Sequence, residues 1–157
     1  MSVYERALKR LSTTAWFRWT LSKVATPLDM KFKGTRFAPS RFGVDLPLCF
    51  LTTTGARSGE PRTVPLLYVP RDGGAIAVAA TNFGTAHHPG WAYNLEAEPA
   101  SSLEIGDEAL DVVARRATDS EMAELWPLFD GVWPGYESYR SIAPRDIKMF
   151  ILEAEAE

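Results

Sequence analysis

The stretch TTTGARSGEPRTVPL runs from Thr52 to Leu66 and places two β-like segments on either side of a polar turn. Threonine and valine favour extended backbone, so the flanks read as strands. The turn holds Arg57, Ser58 and Arg62 beside Gly55 and Gly59. Glycine suits a tight turn because it tolerates positive φ and close backbone approach. Arginine is not needed for turning. A guanidinium group gives a forked pair of hydrogen bonds to phosphate or carboxylate. A serine with nearby backbone N–H groups can complete an anion nest. The turn therefore reads either as an anion-binding hairpin or as a solvated tip charged for solubility.

Strands continue outward from this turn. Leu48–Thr54 and Thr63–Val69 form its arms, and Arg71-Asp72-Gly73-Gly74 leads into Ala75–Thr81. The segment Trp91–Glu98 reads as a short helix ended by Pro99. Ser101–Ile105 and Ala109–Ala117 form a hairpin around Gly106-Asp107. Thr118 and Glu121 have capping-box spacing, which predicts a helix to about Phe129. A turn and a short helix follow, and Ile147–Leu152 closes as a strand. About six short strands with few helices suit a small antiparallel barrel, mainly β with helices in the α+β class. The GxGxxG pattern of a doubly wound dinucleotide fold is missing.

Charge divides the chain. Residues 1–42 hold nine Lys/Arg and two acids, whereas the rest holds eight Lys/Arg and eighteen acids, within a net charge of -3. This suggests a basic helical extension over 1–42 and a barrel domain over 43–157. Residues 2–24 read as an amphipathic helix with an apolar stripe of Tyr4, Leu8, Leu11, Ala15 and Trp19, widened by Trp16 and Phe17. Such a helix either packs on the core or lies at an anionic membrane surface. Residues 25–47 carry Pro27, Pro39 and Pro47 and read as irregular. No run approaches the roughly 20 apolar residues that cross a bilayer. Cys49 is the only cysteine, so no intrachain disulfide is available. These features favour the cytoplasm, with the basic head at the inner face of the membrane. Nucleic acid is disfavoured because no recognition motif accompanies the basic residues.

Two further stretches suggest chemistry. ATNFGTAHHPGWAYNL, Ala80 to Leu95, leaves a strand and enters a helix through a polar loop. It contains His87 and His88, the only histidines, and adjacent histidines without other ligands are a poor metal site. Trp91 reads as core or pocket wall, and Asn94 on the same helix face needs a partner, either backbone or ligand. LWPLFDGVWPGYESYRSI, Leu125 to Ile142, is rich in aromatics. Trp126 and Phe129 read as core. Tyr136 and Tyr139 sit among small and polar residues, so they are expected to be at least half exposed and to line a pocket. A phenol there can donate a proton or polarise a carbonyl. No nucleophile elbow or Walker loop is present. Polar turns without catalytic side chains suggest that a cofactor does the chemistry.

LTTTGARSGEPRTVPL, ATNFGTAHHPGWAYNL and WPGYESY, in this order and spacing, resemble the deazaflavin-dependent nitroreductase family over about residues 40–153. The resemblance implies a six-stranded split β-barrel, similar to FMN-binding proteins, that binds coenzyme F420 without a covalent link. It implies hydride transfer from reduced deazaflavin C5 to a quinone, conjugated enone or nitroaromatic. It also implies a helical N-terminal extension and membrane association. Arg57 and Arg62, with Ser58, match residues holding the phosphate and acidic tail. Val64, Pro65 and Leu66 match the segment against the deazaflavin ring. Ala79, Thr81, Asn82, Phe83 and Gly84 match the loop beneath ring and tail, with His87 further along it. Pro89, Trp91 and Asn94 match the family's P-x-W-x-x-N. Tyr136 and Tyr139 match pocket tyrosines. Family nitroreductases often carry lysine where this chain has Asn82, and Trp133 replaces another pocket tyrosine. The first alters a tail contact; the second removes a phenol, adds bulk and counts against bulky nitroimidazoles, while quinone and enone reduction stay open. Three rival readings are an FMN-dependent oxidoreductase on the same barrel, a non-catalytic F420 carrier, and a membrane-surface adaptor with an inert barrel.

Overall fold

A computed structural model describes residues 46–155. The helix expected over residues 2–24, most of the irregular stretch that follows it and the boundary at residue 42 lie outside the described residues. Six antiparallel strands close into a barrel in the order β1-β2-β3-β6-β5-β4. In chain order β1 is Leu48–Thr54, β2 is Pro61–Pro70 and β3 is Ile76–Ala79. Then come β4 at Ala100–Ile105, β5 at Glu108–Arg116 and β6 at Met149–Ala154. Helix α1 is Gly90–Ala97, α2 is Asp119–Val132 and α3 is Gly135–Ile142.

Alternation along the strands builds two cores. Leu51, Val78, Leu103, Val112, Phe150 and Leu152 point into the barrel, where Trp91, Ala92 and Leu95 of α1 join them. The opposite faces of β3 and β6 present Ala77, Ala79, Met149 and Ile151 outward, under Leu125, Phe129, Tyr136 and Tyr139 of α2 and α3. β3 is therefore buried at every position, and so is β6 from Met149 to Leu152. Burial on both faces is why those segments read as unbroken apolar runs. Cys49 faces the interior, and burial pushes its thiol up to about 12, so it is inert at neutral pH.

Helix α2 begins as its sequence indicates. Thr118 Oγ1 accepts from the Glu121 N–H and Glu121 Oε2 accepts from the Thr118 N–H, closing the capping box. The helix passes Pro127 and ends at Val132, later than the expected Phe129. Proline removes one helical hydrogen bond. Leu125 and Phe129, buried on either side of it, hold both halves against the sheet. β3 ends at Ala79 rather than Thr81, because Asn82 and Phe83 turn the chain through left-handed backbone at φ 44° and 55°.

Glu121 also binds Arg115 with both carboxylate oxygens, at 2.8 and 2.9 Å, tying α2 to β5. The Arg115 guanidinium first, and then the Thr118 N–H, hold this carboxyl near 2, well below the ordinary 4.5. A depressed carboxyl contributes its stability in full above the unfolded value and loses it as pH falls through the folded one. Glu121→Gln is therefore expected to cost about 1 kcal/mol at pH 7, the order of a partly exposed ion pair. The gap from wild type should close between pH 4.5 and 2. Urea denaturation at both ends of that window checks it; a gap independent of pH would assign the stability to the cap alone.

Candidate cofactor site

β1 and β3 run in the same direction, since each is antiparallel to β2. The turn after β1 and the loop after β3 therefore emerge at the same end of the barrel. Helix α1 starts there, and β6 enters there, with Met149 paired to Ala79. Arg57 and Asn82, 25 positions apart in sequence, thus belong to one end of the fold.

The arginine turn is closed by its own backbone. The Gly55 N–H donates to the Glu60 carbonyl and the Gly59 N–H to the Gly55 carbonyl, each at 2.8 Å. Ser58 Oγ accepts from the Glu60 N–H at 3.2 Å. Gly55 leaves little room for a side chain: a Cβ would lie 2.5 Å from Ser58 Oγ, displacing that hydroxyl, and a tight 3.1 Å from the Glu60 carbonyl oxygen. Asn94 of α1 braces the turn from below. Its Oδ1 accepts from the Ala56 N–H at 2.9 Å, and its Nδ2 donates to Thr53 Oγ1 at 3.0 Å. The partner that Asn94 needs is thus the turn itself.

Arg57 and Arg62 are exposed and have neither an ion pair nor a side-chain hydrogen bond among the described residues. The other described arginines are all engaged. Arg71, Arg115, Arg116 and Arg140 pair with carboxylates, and Arg145 binds carbonyls. Arg62 lies opposite Thr53 in the β1–β2 register, so both side chains leave the sheet on the same face. Two uncommitted guanidinium groups on a braced turn can receive a phosphate or carboxylate.

The strand that carries Arg62 is half uncovered. β1 pairs with β2 from Pro61 to Leu67, whereas β3 reaches only Tyr68–Pro70. From Pro61 to Leu67 the second edge of β2 has no strand neighbour among the described residues. Val64, Pro65 and Leu66 lie on this open edge, half-buried. An open edge offers backbone donors and acceptors to a flat polar ligand.

Past the point where β3 stops pairing with β2, the chain continues as the loop from Ala80 to Pro89. Asn82 and Phe83 are both left-handed, which for Phe83 is a true outlier and costs about 1–3 kcal/mol. Gly84 follows at φ 72°, and a Cβ there would meet the Tyr139 carbonyl oxygen at 2.8 Å. Asn82 Nδ2 donates to Thr85 Oγ1 at 2.7 Å and to the His87 carbonyl at 2.9 Å. The Asn82 amide donors are thus spent inside the loop. His87 is exposed and contributes its carbonyl to this network. Pro89 is the N-cap of α1. Arg145, just before β6, reaches back into the loop and donates to the carbonyls of Ala80, Thr81 and Thr85 and to His88 Nδ1. Sequence reading missed Arg145: one arginine in PRDIK has no motif or periodicity to mark it.

The aromatic wall differs from expectation. Tyr136 and Tyr139 are buried, at 6% and 3% exposure, not half exposed. The polar neighbours that suggested exposure, Glu137 and Ser141, occupy the outer face of α3. Tyr136 packs on Phe129 at 5.1 Å and on Tyr139 at 6.2 Å, and Tyr139 meets Phe83 edge-on at 5.8 Å. Burial first, and then the neighbouring Tyr139 and Cys49, push the Tyr136 phenol above its ordinary value. It is therefore a proton-bearing donor at neutral pH and no base. Trp133 is half-buried and its Nε1–H donates to the Tyr139 hydroxyl at 3.3 Å. Trp91 is core: it is buried in the barrel against Phe150 at 5.7 Å and is no part of an open wall. Among the described residues no group of His, Cys, Asp and Glu is arranged to hold a metal ion.

A family model described as F420H(2)-dependent quinone reductase matches residues 28–154. An F420H(2)-dependent quinone reductase of Mycobacterium tuberculosis is 34% identical over 146 residues, covering 86% of this chain and 95% of the relative. The solved structure of the F420-H2 dependent reductase FDR-A is 37% identical. That match covers 71% of this chain and 100% of that one, with a TM-score of 0.62. A second solved structure, described as a domain-swapped dimer, is 33% identical. It covers 88% of this chain and 97% of its own, with a TM-score of 0.63. The likeness first read from the arginine turn and the ATNFG and WPGYESY stretches thus extends over most of the chain, and the protein belongs to the F420H(2)-dependent quinone reductase family, oxidoreductases whose cofactor is reduced coenzyme F420.

Proposed function

We propose that this chain reduces a quinone, with the cofactor lying across the open edge of β2. When bound, reduced F420 supplies a hydride from its C5 carbon. The observation that carries the reading is the pair of unengaged guanidinium groups, Arg57 and Arg62, beside an unpaired strand edge. F420 has an anionic tail and a flat polar ring, and this end of the barrel has one feature suited to each. In this reading Arg57 and Arg62 hold the tail, with the Ser58 hydroxyl available as a further donor. The 64–66 edge and the backbone of 79–84 hold the ring. Asn82 contributes through backbone or Oδ1, because its amide hydrogens are already used. In this reading half-buried Trp133 faces the acceptor with the buried Tyr139, to which it donates, and Tyr136 behind it, and a protonated phenol at Tyr136 suits hydrogen bonding to a quinone oxygen that reaches it. A conjugated enone fits the same requirement, a flat acceptor with one polarisable oxygen. A nitroaromatic must fit beside the indole of Trp133.

Arg57→Ala is expected to raise the F420 dissociation constant about ten- to a hundredfold, the equivalent of losing one charge-assisted pair worth about 1.5–3 kcal/mol. Fluorescence titration with F420 measures this, and an unchanged constant would remove Arg57 from the site. FMN titrated in parallel tests the rival cofactor. Tyr136→Phe should lower kcat with menadione several-fold while the F420 constant stays within twofold; equal kcat would show that the phenol is not used.

The basic excess in residues 1–42 supports a peripheral contact with an anionic membrane, the phase in which apolar quinones dissolve. Full-length protein should sediment with vesicles containing phosphatidylserine, and not with neutral vesicles. Raising salt should release it. Equal binding to both vesicle types would refute an electrostatic contact.

A further inference from the structure

We propose that Arg145 is a positioning residue for the cofactor: its guanidinium clamps the 80–88 loop in the conformation that faces the open edge of β2. Nη2 donates to the Thr81 carbonyl at 2.9 Å and to the Ala80 carbonyl at 3.3 Å. Nε donates to the Thr85 carbonyl at 3.1 Å. Nη1 lies 2.9 Å from His88 Nδ1 and 3.3 Å from both the Ala80 and Asp146 carbonyls. These partners span the two left-handed residues, Asn82 and Phe83. Backbone in a sparsely populated region persists only where its surroundings over-determine it. Here the guanidinium fixes the chain before the strained pair at Ala80 and Thr81, and after it at Thr85 and His88. No carboxylate neutralises Arg145 among the described residues. Carbonyl dipoles and one imidazole take all its donors.

The geometry also fixes the state of His88. A guanidinium only donates, so Nδ1 must accept and the ring proton sits on Nε2. Burial first, and then the charges of Arg145, Lys148 and Arg116 against the opposing Glu96, hold this imidazole below its ordinary 6.5. The Tyr93 ring packs edge-on against it at 5.9 Å. Protonation therefore removes an acceptor and sets a second cation beside the first. Opening of the loop lets His88 protonate at its ordinary value. The clamp is thus complete above 6.5 and weakens as pH falls below it.

This inference rests on the proposed F420 site, but its first test does not need the cofactor. Hydrogen–deuterium exchange of the 80–88 segment is compared in cofactor-free wild type, Arg145→Gln and Arg145→Lys, each checked for a cooperative melt. Both variants should exchange this segment at least tenfold faster at pH 7, while β4 and β5 stay protected. Both should also weaken F420 binding about tenfold. Lysine carries the charge without the fork. If lysine restores affinity, Arg145 acts as a simple cation on the cofactor and the clamp is wrong. Unchanged exchange overturns it too, as does faster exchange with unaltered F420 affinity. If wild type does not bind F420, the functional reading fails and exchange alone decides the clamp. His88→Asn keeps an acceptor near the Nδ1 position and covers the case in which neither arginine variant folds. Its F420 affinity relative to wild type should improve about threefold or more from pH 7 to pH 5, since the cofactor's own ionisations are common to both proteins. A constant ratio overturns the coupling to His88.

Discussion

The mismatch between a ten-residue β2 and a four-residue β3 governs the rest of the molecule. A strand that long needs two neighbours to satisfy its edges. β1 covers one side almost to the tip, but β3 departs after three pairs. The chain leaves β3 at Ala80 because Asn82 and Phe83 turn it away, so the barrel is closed by hydrogen bonding at one end and split at the other. The unpaired stretch of β2 carries Arg62, and the 80–89 loop continues from the strand that would have covered it. A site built this way is available without moving a strand. It also sets a demand: the loop that defines the far side has to be held by something other than sheet hydrogen bonds. Arg145 and Asn82 meet that demand.

How much of this could be read from sequence depended on the range of the interaction. Local rules placed β1, the hairpin around Gly106 and the capping box at Thr118 to within a residue or two, because turn glycines, β-branched runs and N-cap chemistry act over a few positions. The arginine turn was legible for the same reason. Side-chain struts over long separations were not. Asn94 reaches 38 positions back to Ala56, and Arg145 reaches 64 back to Thr81, and no periodicity announces either. The tyrosines failed differently. Their sequence neighbours are polar, yet α3 turns Glu137 and Ser141 outward and lays Tyr136 and Tyr139 on α2 and β3. Composition averages the two faces of a helix, whereas burial separates them. For Trp91, read from sequence as core or pocket wall, the structure selects core, since its helix packs into the barrel interior.

Net charge is a poor guide to what this end of the barrel attracts. The body beyond residue 42 is strongly acidic, with eighteen Asp/Glu against eight Lys/Arg. An anionic ligand is nevertheless acceptable where cations remain uncommitted. Among the described residues some of the acids are engaged with specific partners: Glu121 and Glu153 with Arg115, Glu96 with Lys148 and Arg116, Asp130 with Arg140. Each of those pairs commits a cation to a carboxylate. Arg57 and Arg62 are left without a carboxylate among the described residues, Arg57 on a turn braced by its own hydrogen bonds and by Asn94, and Arg62 at the start of the strand that follows. Salt screening shortens the reach of distant acids to about 8–10 Å, although Glu60 keeps one carboxylate within the turn itself. An arginine pair held this way loses little order when a ligand arrives, because the backbone beneath it is already fixed, and only side-chain freedom is given up. The same bracing makes glycine the residue that fits position 55 without displacing Ser58. A side chain there would push Ser58 and the Glu60 carbonyl apart and loosen the platform on which both guanidinium groups stand.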